Sequence, residues 1–379
     1  MSLIHRAAVA SAAGVAAAAT AAFVLAPAAG AQARSSGSSS FIGQFHHLTT
    51  IASTVPGNGD VNPYGTVVIR RSAGDLQRGN VLISNFNNKK NLQGTGRTIV
   101  QITPGGQLSV FAKINPNNLP GPCPGGIGLT TALTVLPGGW VVVGSLPTSN
   151  GMAATAKAGC LLVLDNTGHV RETISGGGIN GPWDMTSISF GHFAQLFVTN
   201  VLNGTVAANG KVVHQGTVLR LTMALYGQQP PTVKRVTTIG SGFPQRTDPA
   251  ALILGPTGVG LSRNGTLYVA NTLVSKINAI PNAVFRGSSA GTGAVVTSGG
   301  ALLMPLGLTL APNGNILTVN GGNGKIVETT PGGMQIAHRF LDTSGSPKGA
   351  GALFGLAVAP SGTGVYYVDD AVNTLRLLH

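Results

Sequence analysis

Acidic side chains are scarce in this chain: ten Asp and Glu in 379 residues, against 23 Lys and Arg. Acid–base chemistry needs a titratable group held in place, so few positions could perform it. Charged residues of both signs make up only 9% of the chain and hydrophobic residues 43%, which excludes a disordered polymer. The eight His are scattered. His46 and His47 are adjacent, and His192, His214 and His338 lack ligand spacing, so a zinc site is not expected. No G-x-S-x-G motif joins a strand to a helix, which excludes a nucleophile elbow. The glycine runs Gly176 to Gly178, Gly299-Gly300 and Gly321-Gly322 precede no helix and are not phosphate loops. No Lys/Arg run exceeds two residues and no aromatic-rich binding motif occurs, so a formal charge of +13 does not point to nucleic acid. Loose attraction to anionic surface polymers or lipids suits that charge better.

At the N-terminus, Arg6 precedes an alanine-rich apolar stretch ending in Phe23, Val24 and Leu25, and Ala31-Gln32-Ala33 is a small-residue cleavage site. These are the parts of a secretory signal peptide, expected over 1–33. No Cys stands at that site, so a lipoprotein anchor is not expected. No later run is long and apolar enough to span a bilayer, so no stable membrane span is expected. Residues 34–44 read as a flexible leader and 45–379 as the folded unit, expected to be monomeric and secreted, either extracellular or periplasmic. Cys123 and Cys160 are the only cysteines. An even number in an exported chain favours one intramolecular bridge.

What the chain has in abundance is glycine, 56 residues, and a phrase that recurs six times. One copy runs from Gly307 to Asn320 and another from Gly258 to Asn271. Each copy is a strand, a tight turn, a second strand, and then Asn or Asp. Aligned on that last residue, the copies end at Asn85, Gly144, Asn200, Asn271, Asn320 and Asp369. A third strand follows each, such as Thr98 to Ile102 or Cys160 to Leu164, and then a fourth, such as Leu108 to Ala112. Four strands to a unit with regular turn residues predict an all-β, six-bladed β-propeller. The sixth copy stops at its third strand, Leu375 to Leu378. The segment Phe45 to Ser53 is predicted to supply the missing fourth strand, closing the ring and covering its edge.

The pattern Pro-x-Gly, strand, Asn-Gly, strand, Asn or Asp, loop, strand resembles NHL repeats. It is also similar to six-bladed propellers of the SMP-30/gluconolactonase and virginiamycin B lyase type. The resemblance spans nearly all of the expected mature chain and rests on structural motifs. NHL repeats usually carry Asp where this chain mostly has Asn. The lyase type works with a His and a Glu near the channel; no His stands in the first-strand mouths, and neither Glu172 nor Glu328 occupies such a place. The SMP-30 type holds a metal at the channel mouth with acidic and Asn residues. The set Asp184, Asn200, Asn271 and Asp369 resembles that arrangement.

In a propeller the second strands all end at one mouth of the central channel, which should gather Asn85, Asn200, Asn271, Asn320 and Asp369. Asp184 joins them, standing where other copies have Gly65, Gly258 and Gly307. Asp184 and Asp369 are the candidate metal ligands, and calcium or another divalent cation is the cofactor such oxygens would take. Alternatively the asparagines bond the backbone of their own turns. Long loops at 86–97, 145–159 and 201–216 should surround this mouth with Lys89, Lys90, Arg97, Lys157 and Lys211. Two functions follow. One is a secreted binding or scaffold protein presenting this basic, Asn-rich face to a ligand or protein partner. The other is a metal-dependent hydrolase or lyase at the same mouth; no catalytic residue is assigned. The scarcity of acids favours the first.

Overall fold

The computed structural model describes residues 39–379; the expected signal peptide lies outside them. Six antiparallel sheets make a β-propeller. The first, second, third and fourth strands of blade 1 are Val61–Val68, Val81–Asn87, Thr98–Ile102 and Leu108–Lys113. Blade 2 is Leu129–Leu136, Trp140–Ser145, Cys160–Leu164 and Val170–Ile174. Blade 3 is Pro182–Phe190, Phe193–Asn200, Val213–Ala224 and Thr232–Asp248. Blade 4 is Pro256–Leu261, Leu267–Asn271, Lys276–Ile280 and Ala294–Ser298. Blade 5 is Pro305–Leu310, Ile316–Asn320, Lys325–Thr329 and Gln335–Phe340. Blade 6 is Leu353–Val358, Val365–Asp369 and Thr374–Leu378, completed by Leu48–Ser53 from the other end of the chain. Leu48 pairs with Leu378 and Ser53 with Thr374, so the ring closes as the repeats predict.

Alternation along each strand turns apolar residues toward both neighbouring sheets, and the core therefore lies between blades. Leu82, Val141 and Leu162 pack between blades 1 and 2. Val142, Leu196 and Leu219 pack between blades 2 and 3, and Phe197, Val218 and Val269 between blades 3 and 4. Each such side chain, once fully buried, stabilises the fold by roughly 1.5–3 kcal/mol. First strands of successive blades lie side by side around the channel, blade 6 returning to blade 1. They approach so closely that a Cβ at Gly307 would sit 2.0 Å from the Phe354 carbonyl oxygen, and one at Gly355 2.1 Å from that of Tyr64. That contact explains the glycine in the Pro-x-Gly phrase.

Three expectations need correction. Residues 41–44 are not a loose leader. Phe41 and Ile42 are buried against blades 5 and 6, and Ile42–Gln44 form a 3-10 turn. Their anchor is Glu328, whose carboxylate accepts hydrogen bonds from the Phe41 and Ile42 backbone N–H groups at 2.8 and 2.9 Å and from the Ser40 hydroxyl at 2.7 Å. The second correction is register. In blade 2 the residue that pairs like Asn85 is Ser145, not Gly144: Pro63 pairs with Asn85 and Leu129 with Ser145. One extra residue between Leu129 and Leu133 shifts the copy. Third, the fourth strand of blade 3 runs on past its blade and folds back through Leu252–Leu254, an added strand that the repeat pattern does not contain.

Candidate functional site: the central channel

The channel has two mouths. The loop mouth is where second strands end, and the hairpin mouth is where first strands turn into second strands. At the loop mouth, four blades place a large apolar residue just before the ring position and pack it into one layer: Tyr64, Leu306 and Phe354 before glycines and Trp183 before Asp184. Tyr64 stacks on Phe354 with ring centroids 4.0 Å apart and on Phe86 at 4.5 Å, while Trp183 leans against it at 5.7 Å. The expected rim loops fold over this layer and bury Leu146, Ala156, Val201 and Leu202 on it. The added hairpin of blade 3 contributes Leu252 and Ile253. Tyr64 and Trp183 are each left 1% exposed. The loop mouth is filled, because desolvating aromatic and aliphatic surface is favourable.

The asparagines expected to line an open mouth are buried behind this plug, and their side chains hold turns. Asn85 Nδ2 donates to the Thr54 carbonyl at 3.0 Å, and Asn320 Nδ2 to that of Ala301 at 2.8 Å. Asn200 Oδ1 accepts the Asn180 N–H at 3.0 Å, and Asn271 Nδ2 meets Asn278 Oδ1 at 3.4 Å. In blade 2, Ser145 does the same work, accepting the Gly128 N–H at 2.9 Å. Four of these five tie the end of a second strand to the segment entering the same blade. Lys89, Lys90, Arg97, Lys157 and Lys211 are exposed around the rim, as expected, but no amide-lined opening lies between them.

The open space is at the other end. A cavity of about 720 Å³ occupies the channel on the hairpin side. Its depth is set by the ring glycines Gly307 and Gly355, with Asp184 beside them. The next layer outward is apolar apart from Thr66: Leu133, Met185, Val259, Leu308 and Leu356. Hydroxyls follow at Thr134, Thr186, Ser187 and Thr309, and Arg70 and Arg71 stand at the rim. Thr134 Oγ1 and Ser187 Oγ are 2.8 Å apart, linking blades 2 and 3 across the wall.

Asp184 replaces a ring glycine and bridges two blades. Its carboxylate accepts the Met185 N–H at 2.8 Å and, across the blade boundary, the Val259 N–H at 3.2 Å. Burial pushes its pKa up to about 8, and those two hydrogen bonds offset the burial only in part. The carboxyl is therefore mostly protonated at neutral pH. Asp369 is elsewhere. It ends the second strand of blade 6, fully buried, with Oδ2 2.8 Å from Arg376 Nη1. The structure does not bring the two candidate metal ligands together in the cavity. Both Asp184 oxygens are engaged by N–H groups, Asp369 faces a guanidinium, and no group of three His, Cys, Asp or Glu among the described residues is arranged to hold a metal ion. A hard divalent cation takes six or more oxygens, and this set does not fit one. Cys123 and Cys160 are joined as a disulfide, as expected.

No family model matches this chain, and no curated protein sequence does. Solved six-bladed propellers share its fold. A gluconolactonase from Xanthomonas campestris is 14% identical over 87% of this chain and 88% of that one, with a TM-score of 0.51. A calcium-binding regucalcin from Agrobacterium tumefaciens is 14% identical over 87% and 95%, with a TM-score of 0.52. A streptogramin B lyase is 14% identical over 88% and 97%, with a TM-score of 0.50. At such identities the likeness is one of architecture, and site chemistry must come from this chain's own residues.

Proposed function

We propose that this chain is an exported binding protein of the propeller class, holding a small organic ligand in its central channel and receiving it through the hairpin mouth. The observation that supports this is the cavity itself: about 720 Å³, ending at Asp184, with the opposite mouth filled by Tyr64, Trp183 and Phe354. Binding pockets are concave and place a few polar groups among apolar ones; this cavity is concave and mixes aliphatic side chains with hydroxyls and backbone polar groups. The signal-like N-terminus and the Cys123–Cys160 bridge support export. A thermal-shift screen of small organic molecules against the purified chain tests the reading, with Thr186→Trp as the blocked channel. A hit should raise the melting temperature of the parent and not that of the variant. A ligand that stabilises both equally binds elsewhere and sinks the proposal.

One observation favours a second reading, a hydrolase or lyase. A single carboxyl with a raised pKa borders an open cavity, and such groups serve as general acids or bases. Against it, the lining offers no Cys, His, Lys or second carboxylate to act as nucleophile or partner. Lactones and esters assayed with parent and Asp184→Asn decide between the two. Turnover by the parent that disappears in the variant supports catalysis; ligand binding without turnover supports the binding protein.

A further inference from the structure

We propose that the ligand of this channel is an amphipathic organic anion, seated with its apolar part inward and its charged group between Arg70 and Arg71. This rests on the reading of the channel as a binding site and names the class of ligand. Arg70 and Arg71 follow the first strand of blade 1, line the cavity rim and are exposed. Among the described residues, neither forms an ion pair or a hydrogen bond to another side chain. The one acid in the lining, Asp184, sits at the far end. The rim is thus a pair of free guanidiniums, which bind carboxylate, sulfonate or phosphate through charge-assisted and often bidentate hydrogen bonds.

Between rim and floor the walls carry a band of aliphatic side chains among hydroxyls and backbone polar groups. Val67, Leu133, Met185, Val259, Leu308 and Leu356 face the space, with threonine hydroxyls interspersed. No aromatic ring and no Asn or Gln side chain lines it, so the stacking platforms and paired amides that would orient a sugar are missing. Gly65, level with Asp184 in the ring, and Arg70 are five residues apart in sequence. At about 3.3 Å per extended residue that is a depth of roughly 16 Å. A medium-length alkyl chain or a fused aryl group fills such a length. The excess of cations over the whole chain, 23 Lys and Arg against ten acids, would raise the local concentration of an anion at any mouth. This mouth opens onto a deep cavity with an aliphatic band in its wall.

The test uses laurate and dodecanol, the same chain with and without a charge, both below their aggregation concentrations. Each is titrated by calorimetry into the full mature protein, into Arg70→Gln/Arg71→Gln, and into Thr186→Trp. Both arginines are exposed, so the double variant should fold as the parent does. The expected result is that the parent binds laurate more tightly than dodecanol. The double variant should lose roughly five- to tenfold in laurate affinity, as for a pair of surface ion contacts, and keep its dodecanol affinity. Thr186→Trp should lose both. Equal binding of laurate and dodecanol by the parent, with both lost in Thr186→Trp, would overturn the anion assignment and leave the channel as a binding site. Unchanged binding in Thr186→Trp, or no binding of either compound by the parent, would overturn the anion assignment and count against the channel itself.

Discussion

Asp184 shows how one residue can depart from a repeat and create a local property. The corresponding positions Gly258, Gly307 and Gly355 are glycines because the next blade's backbone lies where a Cβ would be. Asp184 instead spans the boundary to Val259. Burial keeps its proton in the folded chain up to about pH 8, whereas the ordinary value is 3.8. Stability linked to this group is therefore fully present below about pH 4 and is lost as pH rises toward 8. Replacing it by Asn removes that slope. Asp184→Asn is expected to melt higher than the parent at pH 9, with the difference vanishing toward pH 4, as thermal unfolding across that range would show. A variant destabilised equally at every pH would mean that the two backbone hydrogen bonds outweigh the burial.

At the scale of an element, the segment before the closing strand packs Phe41 and Ile42 into the core and is anchored by the Glu328 carboxylate. Burial alone would raise the pKa of Glu328. The hydrogen bonds from Asn315, Phe41, Ile42 and Ser40 outweigh that and hold it below the usual carboxylate range. The stabilisation is present above the ordinary Glu value and is lost as pH falls through the lower folded one. Glu328→Ala leaves buried donors without an acceptor, at a cost on the order of 3 kcal/mol at pH 7. Urea unfolding at pH 7 and pH 3 checks this; the gap between parent and variant should narrow at the lower pH. A gap as wide at pH 3 would show that the variant suffers from lost packing alone. This latch escaped the sequence reading because Ser40 to Ile42 and Glu328 are far apart in the chain and share no motif.

For the whole molecule, the ring is closed by the Leu48–Ser53 strand in blade 6, and the disulfide ties the entry of blade 2 to that blade's third strand. Cys160 begins the third strand of blade 2 and Cys123 lies in the segment leading to its first strand, 37 positions away. A loop of that length should contribute about 3–4 kcal/mol by restricting the unfolded chain. Cys123→Ser/Cys160→Ser should accordingly unfold at lower denaturant concentration while keeping its native spectrum. An unchanged midpoint would assign the bridge no role in stability.

The six copies, their turn glycines, the lone strand ahead of them and the strand missing from the last copy determined the propeller and its closure, because strand periodicity and turn dihedrals are local properties of sequence. The residue Asp184 was legible for the same reason: it broke a repeat. Which mouth is open was not legible. Tyr64, Trp183, Leu306 and Phe354 stand at one repeat position and could have been read as a common layer, but whether they meet depends on the diameter of the ring. The cover formed by Leu252 and Ile253 came from an extension outside the repeat. The function of the asparagines likewise turned on distance, since an amide buried beneath the plug against its own blade's entering segment is out of a ligand's reach. Only the tertiary structure moved the candidate site from the loop mouth to the hairpin mouth, because burial is decided by which distant side chains arrive together.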